Sequence, residues 1–146
     1  MPLVVEPARP HDLAGALELL ARVELTGRDV AAGWGHFFVV REDDGRIVGL
    51  AGLEIHGDDG LLRSVAVDPA YRGQSLGEAL VAAAMERAAL LKLRDVYLLT
   101  TTAERFFVRH GFATCPREAA PAAVAASWEF RAGCPATAVF MKRPVA

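Results

Sequence analysis

Val65-Ala66-Val67-Asp68-Pro69-Ala70-Tyr71-Arg72-Gly73-Gln74-Ser75-Leu76-Gly77-Glu78 runs from an apolar strand through a basic, glycine-punctuated turn into a helix. Val65 to Val67 are β-formers, and Pro69 ends the strand because it cannot donate to a ladder. Gly73 and Gly77 let backbone N–H groups come close to an anion. The following helix, with apolar Leu76, Leu80, Val81 and Ala84, aims its positive dipole end at the same place. The stretch reads as a pyrophosphate cradle, with a plain strand-to-helix connector as the competing reading. The pattern Gly-x-Gly-x-x-Gly is absent, which disfavours a dinucleotide.

Working outward, Leu3 to Glu6 reads as a strand. Arg9-Pro10-His11-Asp12 is a turn that makes Asp12 the N-cap of a helix. Leu13, Ala16, Leu17, Leu20 and Ala21 share one face of that helix, and Gly27 stops it. Residues 28 to 35 form a short helix or a loop. Phe37 to Arg41 and Arg46 to Ile55 are strands joined by the hairpin turn Glu42-Asp43-Asp44-Gly45. A second turn, Gly57-Asp58-Asp59-Gly60, leads into the strand Leu61 to Val67. A helix from Leu76 to about Leu91 and a strand from Asp95 to Leu99 follow. Thr101-Thr102-Ala103-Glu104 is a capping box for a helix ending at Gly111. Ala122 to Phe130 forms a short helix and Ala136 to Met141 the last strand. The order is α+β, with an antiparallel meander and one parallel neighbour pair.

A chain of 146 residues with 53% apolar content is expected to be a single domain, 1–146, with a substantial core. A formal net charge of −2 argues against an electrostatic grip on nucleic acid or an anionic membrane surface. No apolar run approaches the roughly 20 residues a bilayer span needs. The opening residues carry no basic segment before an apolar one, so a cytoplasmic protein is expected. Cys115 and Cys134 lack metal-ligand spacing and read as free thiols, with no metal site.

The spacing Arg72-Gly73-Gln74-Ser75-Leu76-Gly77 resembles the acetyl-CoA signature of the GNAT superfamily of N-acetyltransferases, Arg/Gln-x-x-Gly-x-Gly/Ala. Ser75 stands where that signature usually has its first glycine. A serine there is expected to keep a right-handed backbone and still offer its N–H, narrowing the phosphate pocket slightly. The resemblance runs from Arg9-Pro10-His11-Asp12-Leu13 to Phe106-Phe107-Val108-Arg109-His110-Gly111-Phe112, which is similar to the family's Phe-Tyr-x-x-x-Gly-Phe helix. It implies a mixed, mostly antiparallel sheet flanked by helices, whose strands Leu61 to Val67 and Asp95 to Leu99 lie parallel and splay apart at the cofactor. It implies acetyl-CoA as co-substrate, held at its phosphates by Arg72, Gly73, Gln74, Ser75, Leu76 and Gly77. Val65, Ala66 and Val67 would meet the acetyl carbonyl and the pantetheine arm, with the Val65 backbone stabilising the oxyanion. Phe107 beside the thiol replaces the tyrosine that often protonates the departing thiolate. A free thiol of pKa about 8.5 leaves at little cost without that acid. The superfamily also suggests a homodimer through the last strand.

Acetyl transfer to an amine needs a neutral nucleophile, so a base is sought. Glu54 is the candidate: folding about the second turn sets it roughly opposite Arg63, and Arg63 shares the parity of Leu61, Val65 and Val67. The competing reading is an ordinary cross-strand ion pair on a solvated face. Thr101, Thr102 or water are candidates to assist the departing thiolate, with helix capping as the competing role of the threonines, and Thr101 is also a candidate to bind the acceptor. Ser127 and Glu129 on the late helix are further candidates to reach that pocket. His110 reads as a helix-end cation and His56 as an exposed turn residue.

The stretches Leu61 to Val67, Tyr97 to Phe107 and Ser127-Trp128-Glu129-Phe130 are similar to the arsenic-resistance-linked GNAT branch and to the acetyltransferase domain of N-acetylglutamate synthases. Both imply a small-molecule, amino-acid-like amine acceptor, with Arg63 gripping its carboxylate bidentately and direct attack in a ternary complex. Three alternatives stay open: acetylation of a protein N-terminus or drug amine, a CoA-sensing domain without turnover, and a structural subunit that binds no CoA.

Overall fold

A computed structural model describes residues 3–133 and 136–146. Strands β1 (Val5–Pro7), β2 (Phe37–Arg41), β3 (Ile47–His56), β4 (Asp59–Val67), β5 (Asp95–Thr100), β6 (Ala113–Thr114) and β7 (Val139–Pro144) form one sheet. Their order is β1-β2-β3-β4-β5-β7-β6. The sheet is mostly antiparallel, with one parallel pair, β4 with β5, and helices flank it. These are α1 (Leu13–Arg22), α2 (Leu76–Leu90), α3 (Glu104–Arg109) and α4 (Ala122–Ala125). The chain divides into two compact units, one of Met1–Leu53 with Ser64–Arg87 and one of Glu54–Arg63 with Ala88–Ala146.

In the first unit, β2 pairs antiparallel with β1 (Val5↔Val40, Pro7↔Phe38) and with β3 (Phe37↔Gly52, Val39↔Leu50). Alternate side chains of a strand face opposite ways, and both faces here are covered. Phe37 and Val39 join Ala16, Leu19 and Leu20 of α1, whereas Phe38 and Val40 join Leu76 and Leu80 of α2. Burial on both sides explains why Phe37-Phe38-Val39-Val40 is a continuous apolar run instead of an alternating one.

In the second unit, β5 pairs antiparallel with β7 from Asp95↔Pro144 to Thr100↔Val139. β4 pairs parallel with β5 at Gly60↔Val96 and Leu61↔Tyr97. Leu61, Tyr97, Val124 and Phe140 form the core, and the Tyr97 and Phe140 rings stack at 5.3 Å.

Several local expectations change. α1 stops at Arg22, where Glu24 takes a left-handed φ of +62°, five residues before Gly27. Asp12 gives α1 no side-chain cap. Its carboxylate takes the Arg9 N–H (2.9 Å) and the Arg41 guanidinium, because a buried carboxylate needs a cation more than a helix end needs a cap. Residues Ala31–His36 wind as a 3-10 helix. Thr101-Thr102-Ala103-Glu104 is not a capping box: the Thr100 hydroxyl accepts the Ala103 N–H at 3.0 Å, and the Thr101 side chain is exposed. The helix expected over Ala122 to Phe130 breaks into α4 and a π-helical turn, Glu129–Gly133. β7 is paired along its length by β5 and, at Lys142 and Met141, by the short edge strand β6. Cys115 is a free thiol, half-buried, and burial raises its pKa. Cys134 lies outside the described residues.

Candidate active site

The turn after β4 is built by its own side chains. Asp68 Oδ1 accepts the Ala70 N–H at 3.0 Å, Asp68 Oδ2 accepts from Arg22 at 3.0 Å, and the Asp68 N–H donates to the Val48 carbonyl at 2.8 Å. Tyr71 donates its hydroxyl to Glu42 at 2.5 Å and accepts from Arg46 at 2.9 Å. From that anchor, Arg72, Gly73, Gln74 and Ser75 stand exposed ahead of α2, while Leu76 and Leu80 are buried and pin the helix.

Gly73 has φ +85° and Ser75 has φ +61°. The right-handed backbone expected at Ser75 is therefore corrected: the serine adopts the conformation that glycine adopts freely. Left-handed residues interspersed in a turn point successive N–H groups into one concavity, which favours an anion. Ala79 donates to the Ser75 carbonyl at 3.2 Å, so the N–H groups of Leu76 and Gly77 precede the helical ladder and face the same end. Backbone dipoles, the 15-residue helix α2 and Arg72 together suit a pyrophosphate.

Val65 and Val67 are half-buried against Leu76 and Leu80, and Ala66 is buried on the α1 side. Ser64 has φ +58°, a left-handed residue inside a strand of the sort found in a bulge. The parity argument linking Arg63 to Val65 and Val67 runs across this residue and does not carry.

The second unit holds a charged cluster. Arg63 donates from Nη1 to Glu54 Oε2 at 2.8 Å, and its Nη2 lies 3.9 Å from Glu129 Oε2. The Arg63 side chain is only 1% exposed and that of Glu54 18%, so the pair is not a contact on a solvated face. Glu54 Oε1 also bonds His56 Nε2 at 2.8 Å. Burial works to raise the Glu54 pKa, but hydrogen bonds from His56 and Arg63 and the Arg63 charge outweigh it and hold the carboxyl below its ordinary value. His56 closes β3, half-buried, and is not the exposed turn residue expected.

The structure thus brings Glu54, Arg63 and Glu129 together. Sequence reasoning missed His56 as a partner of Glu54, although residues two apart on a strand share a face. Ser127 is buried, donating to the Val124 carbonyl at 2.7 Å. Phe107 is 6% exposed and packs edge-on against Phe106 and Phe112. Among the described residues no group of three His, Cys, Asp or Glu side chains could hold a metal ion. No helix among them is long and apolar enough to cross a membrane.

The sequence pattern of the family described as acetyltransferase (GNAT) domain matches residues 33–114. An amino-acid acetyltransferase of Mycobacterium tuberculosis is 42% identical over 79 residues, 52% of this chain and 45% of that protein. One from Pseudomonas putida is 32% identical over 136 residues, 88% of this chain and 32% of that protein. The chain therefore spans less than half the length of these relatives. N-acetylglutamate synthase from Neisseria gonorrhoeae, solved with coenzyme A and N-acetyl-glutamate, superposes with a TM-score of 0.86. That match covers 100% of this chain and 36% of that one, at 19% identity, a likeness of fold.

Proposed function

The chain belongs to the GNAT acetyltransferase family, and from that premise we propose that it transfers acetyl from acetyl-CoA to the amine of a small amino-acid-like acceptor. The observation that carries this reading is the turn Arg72 to Gly77, where left-handed Gly73 and Ser75 precede α2, a backbone form suited to an anion. In this reading residues 1–146 act as one domain. The cofactor's phosphates lie on Arg72, Gly73, Gln74, Ser75, Leu76 and Gly77, and its pantetheine arm follows the backbone of Val65, Ala66 and Val67. The Val65 N–H faces the thioester oxygen and stabilises the oxyanion that forms when the amine attacks. Phe107 shields the sulfur, which leaves as thiolate without a tyrosine acid.

The acceptor reading draws on the names of the relatives and on Arg63 with Glu54. In this reading an acceptor carboxylate competes for Arg63 with Glu54 at 2.8 Å and Glu129 at 3.9 Å. In this reading Thr101, which is exposed just after β5, contacts the acceptor. A CoA-sensing domain without turnover is the second reading, favoured by the buried phenylalanine at position 107.

Two measurements test the proposal. Acetyl-CoA should raise Tm, and Arg72→Glu should weaken acetyl-CoA binding roughly 10- to 100-fold, the worth of one charge-assisted contact. Thiol release should then be followed over a panel of L-glutamate, its phosphinic and arsinic analogues, other amino acids, drug amines and a peptide N-terminus. Turnover of an amino acid or analogue supports the reading, and turnover of the peptide or drug amine alone overturns the acceptor. Stabilisation with no turnover favours the sensor.

A further inference from the structure

Residues 72 to 75 are exposed, and among the described residues none of their side chains makes a hydrogen bond or ion pair. A Cβ placed on Gly73 would meet nothing within 4 Å. The arch therefore takes its position from its two ends. On the helix side the anchor is buried Leu76. On the strand side it is Tyr71, the residue next to Arg72.

The Tyr71 ring packs against the core of Phe38, Val40, Val48 and Leu76, and its N–H donates to the Asp68 carbonyl at 2.8 Å. Its hydroxyl donates to Glu42 at 2.5 Å and accepts from Arg46 at 2.9 Å, while the Arg46 guanidinium carbon lies 5.9 Å from the ring centroid. A short bond from a hydroxyl to a carboxylate is of the charge-assisted kind. It also raises the Tyr71 pKa, so the phenol keeps the proton that it donates.

Glu42 and Arg46 belong to the loop between β2 and β3, which is closed on itself. The Glu42 N–H donates to the Arg46 carbonyl at 2.9 Å and the Gly45 N–H to the Glu42 carbonyl at 2.8 Å. Asp44 Oδ1 accepts the Arg46 N–H at 2.9 Å, and Gly45 turns the chain at φ +89°. The two groups that hold the phenol thus come from one fixed hairpin, 25 and 29 positions away in sequence. All of these residues lie in the first unit.

We propose that Glu42, Arg46 and Tyr71 are positioning residues for the cofactor, through which the β2–β3 hairpin holds the arch 72–75 in its anion-binding form before acetyl-CoA arrives. The inference rests on the reading of Arg72 to Gly77 as the site of the cofactor's diphosphate. A loop ordered in advance loses less conformational entropy on binding, so its brace raises affinity without touching the ligand. Charge alone predicts the reverse for Glu42, since removing a carboxylate near the turn would favour an anion. The two accounts differ in sign.

The test is calorimetric titration of the folded protein with acetyl-CoA. Tyr71→Phe and Glu42→Ala should each raise Kd roughly 5- to 20-fold, and the double variant should lose no more than either alone, because both remove one bond. Glu42→Gln keeps an acceptor oxygen for the phenol and should recover most of the affinity lost in Glu42→Ala. A merely structural bond would lower the urea midpoint of the free protein and leave the Kd of the folded protein unchanged. Wild-type Kd in either single variant overturns the proposal, and so does tighter binding by Glu42→Ala. Additive losses in the double variant overturn it as well. Glu42 lies in a surface hairpin, so its two variants keep the test decisive if Tyr71→Phe folds poorly. Wild-type protein that binds no acetyl-CoA defeats the reading of the turn itself, and this inference with it.

Discussion

Ser75 sits at φ +61°, where an L-residue with a Cβ costs roughly 1–2 kcal/mol. Glycine removes that strain but gives back part of the gain through the greater freedom of the unfolded chain. Ser75→Gly is therefore expected to stabilise the protein by up to about 1 kcal/mol, seen as a higher Tm, with acetyl-CoA binding kept. Ser75→Val should lower stability by about 1–2 kcal/mol, because a β-branched residue resists the left-handed region more strongly. Equal Tm values for the three proteins would show that the turn carries no such strain. The glycine-rich spacing was legible in the sequence, and the backbone sign at Ser75 was not. Serine has no composition signal for positive φ, and the same blindness hid Ser64 (φ +58°) inside β4.

At the scale of elements, the legible parts were those whose side chains declare both ends. β2 lies at Phe37–Arg41 as its apolar run indicated, and α2 at Leu76–Leu90 falls within a residue of expectation. β6, at Ala113–Thr114, was not foreseen, since a two-residue strand is defined by its partner Met141 and Lys142 and not by its own composition. Packing between β2 and β3 depends on one close approach. A Cβ on Gly52 would lie 2.3 Å from Phe37 Cζ, so the Phe37 ring rests on the bare backbone of β3. Gly52→Ala is expected to cost about 1–3 kcal/mol by overpacking, read as a lower urea midpoint. Adding Phe37→Leu should cost less in that background than in wild type, since the two residues touch. Strict additivity of the two losses would mean that the contact does not set the packing.

For the whole molecule, what remained hidden were pairings between residues far apart in the chain. Arg63 was read as a reader of a substrate carboxylate, and its second carboxylate, Glu129, lies 66 positions later in a π-helical turn that no periodicity announces. Asp12 likewise was read as a cap, whereas Arg41 holds it in the first unit, alongside Glu6. Such pairs set how stability depends on pH. Asp12, held by the Arg41 hydrogen bonds against the cost of burial, titrates below its ordinary range, as Asp68 does through the Ala70 N–H and Arg22. Glu54 in the second unit is also lowered. A carboxylate with a depressed folded pKa contributes stability in full above its unfolded value, near pH 4, and loses it as pH falls through the folded value. His36 adds an earlier step of the same sign. Burial and the Arg87 charge, whose guanidinium lies 3.0 Å from Nδ1, lower its pKa from 6.5, so the unfolded chain takes up a proton there first. Unfolding free energy from urea titrations should thus be flat from pH 8 to about 7, begin to fall near pH 6.5, and fall steeply below pH 4. His36→Gln should erase the first decline and keep the second. Asp12→Asn should cost about 3 kcal/mol at pH 7, where it leaves half-buried Arg41 with Glu6 as its remaining carboxylate, and should flatten the acid decline. Stability that rises on acidification between pH 6.5 and 5 would contradict the neutral, half-buried state assigned to His36.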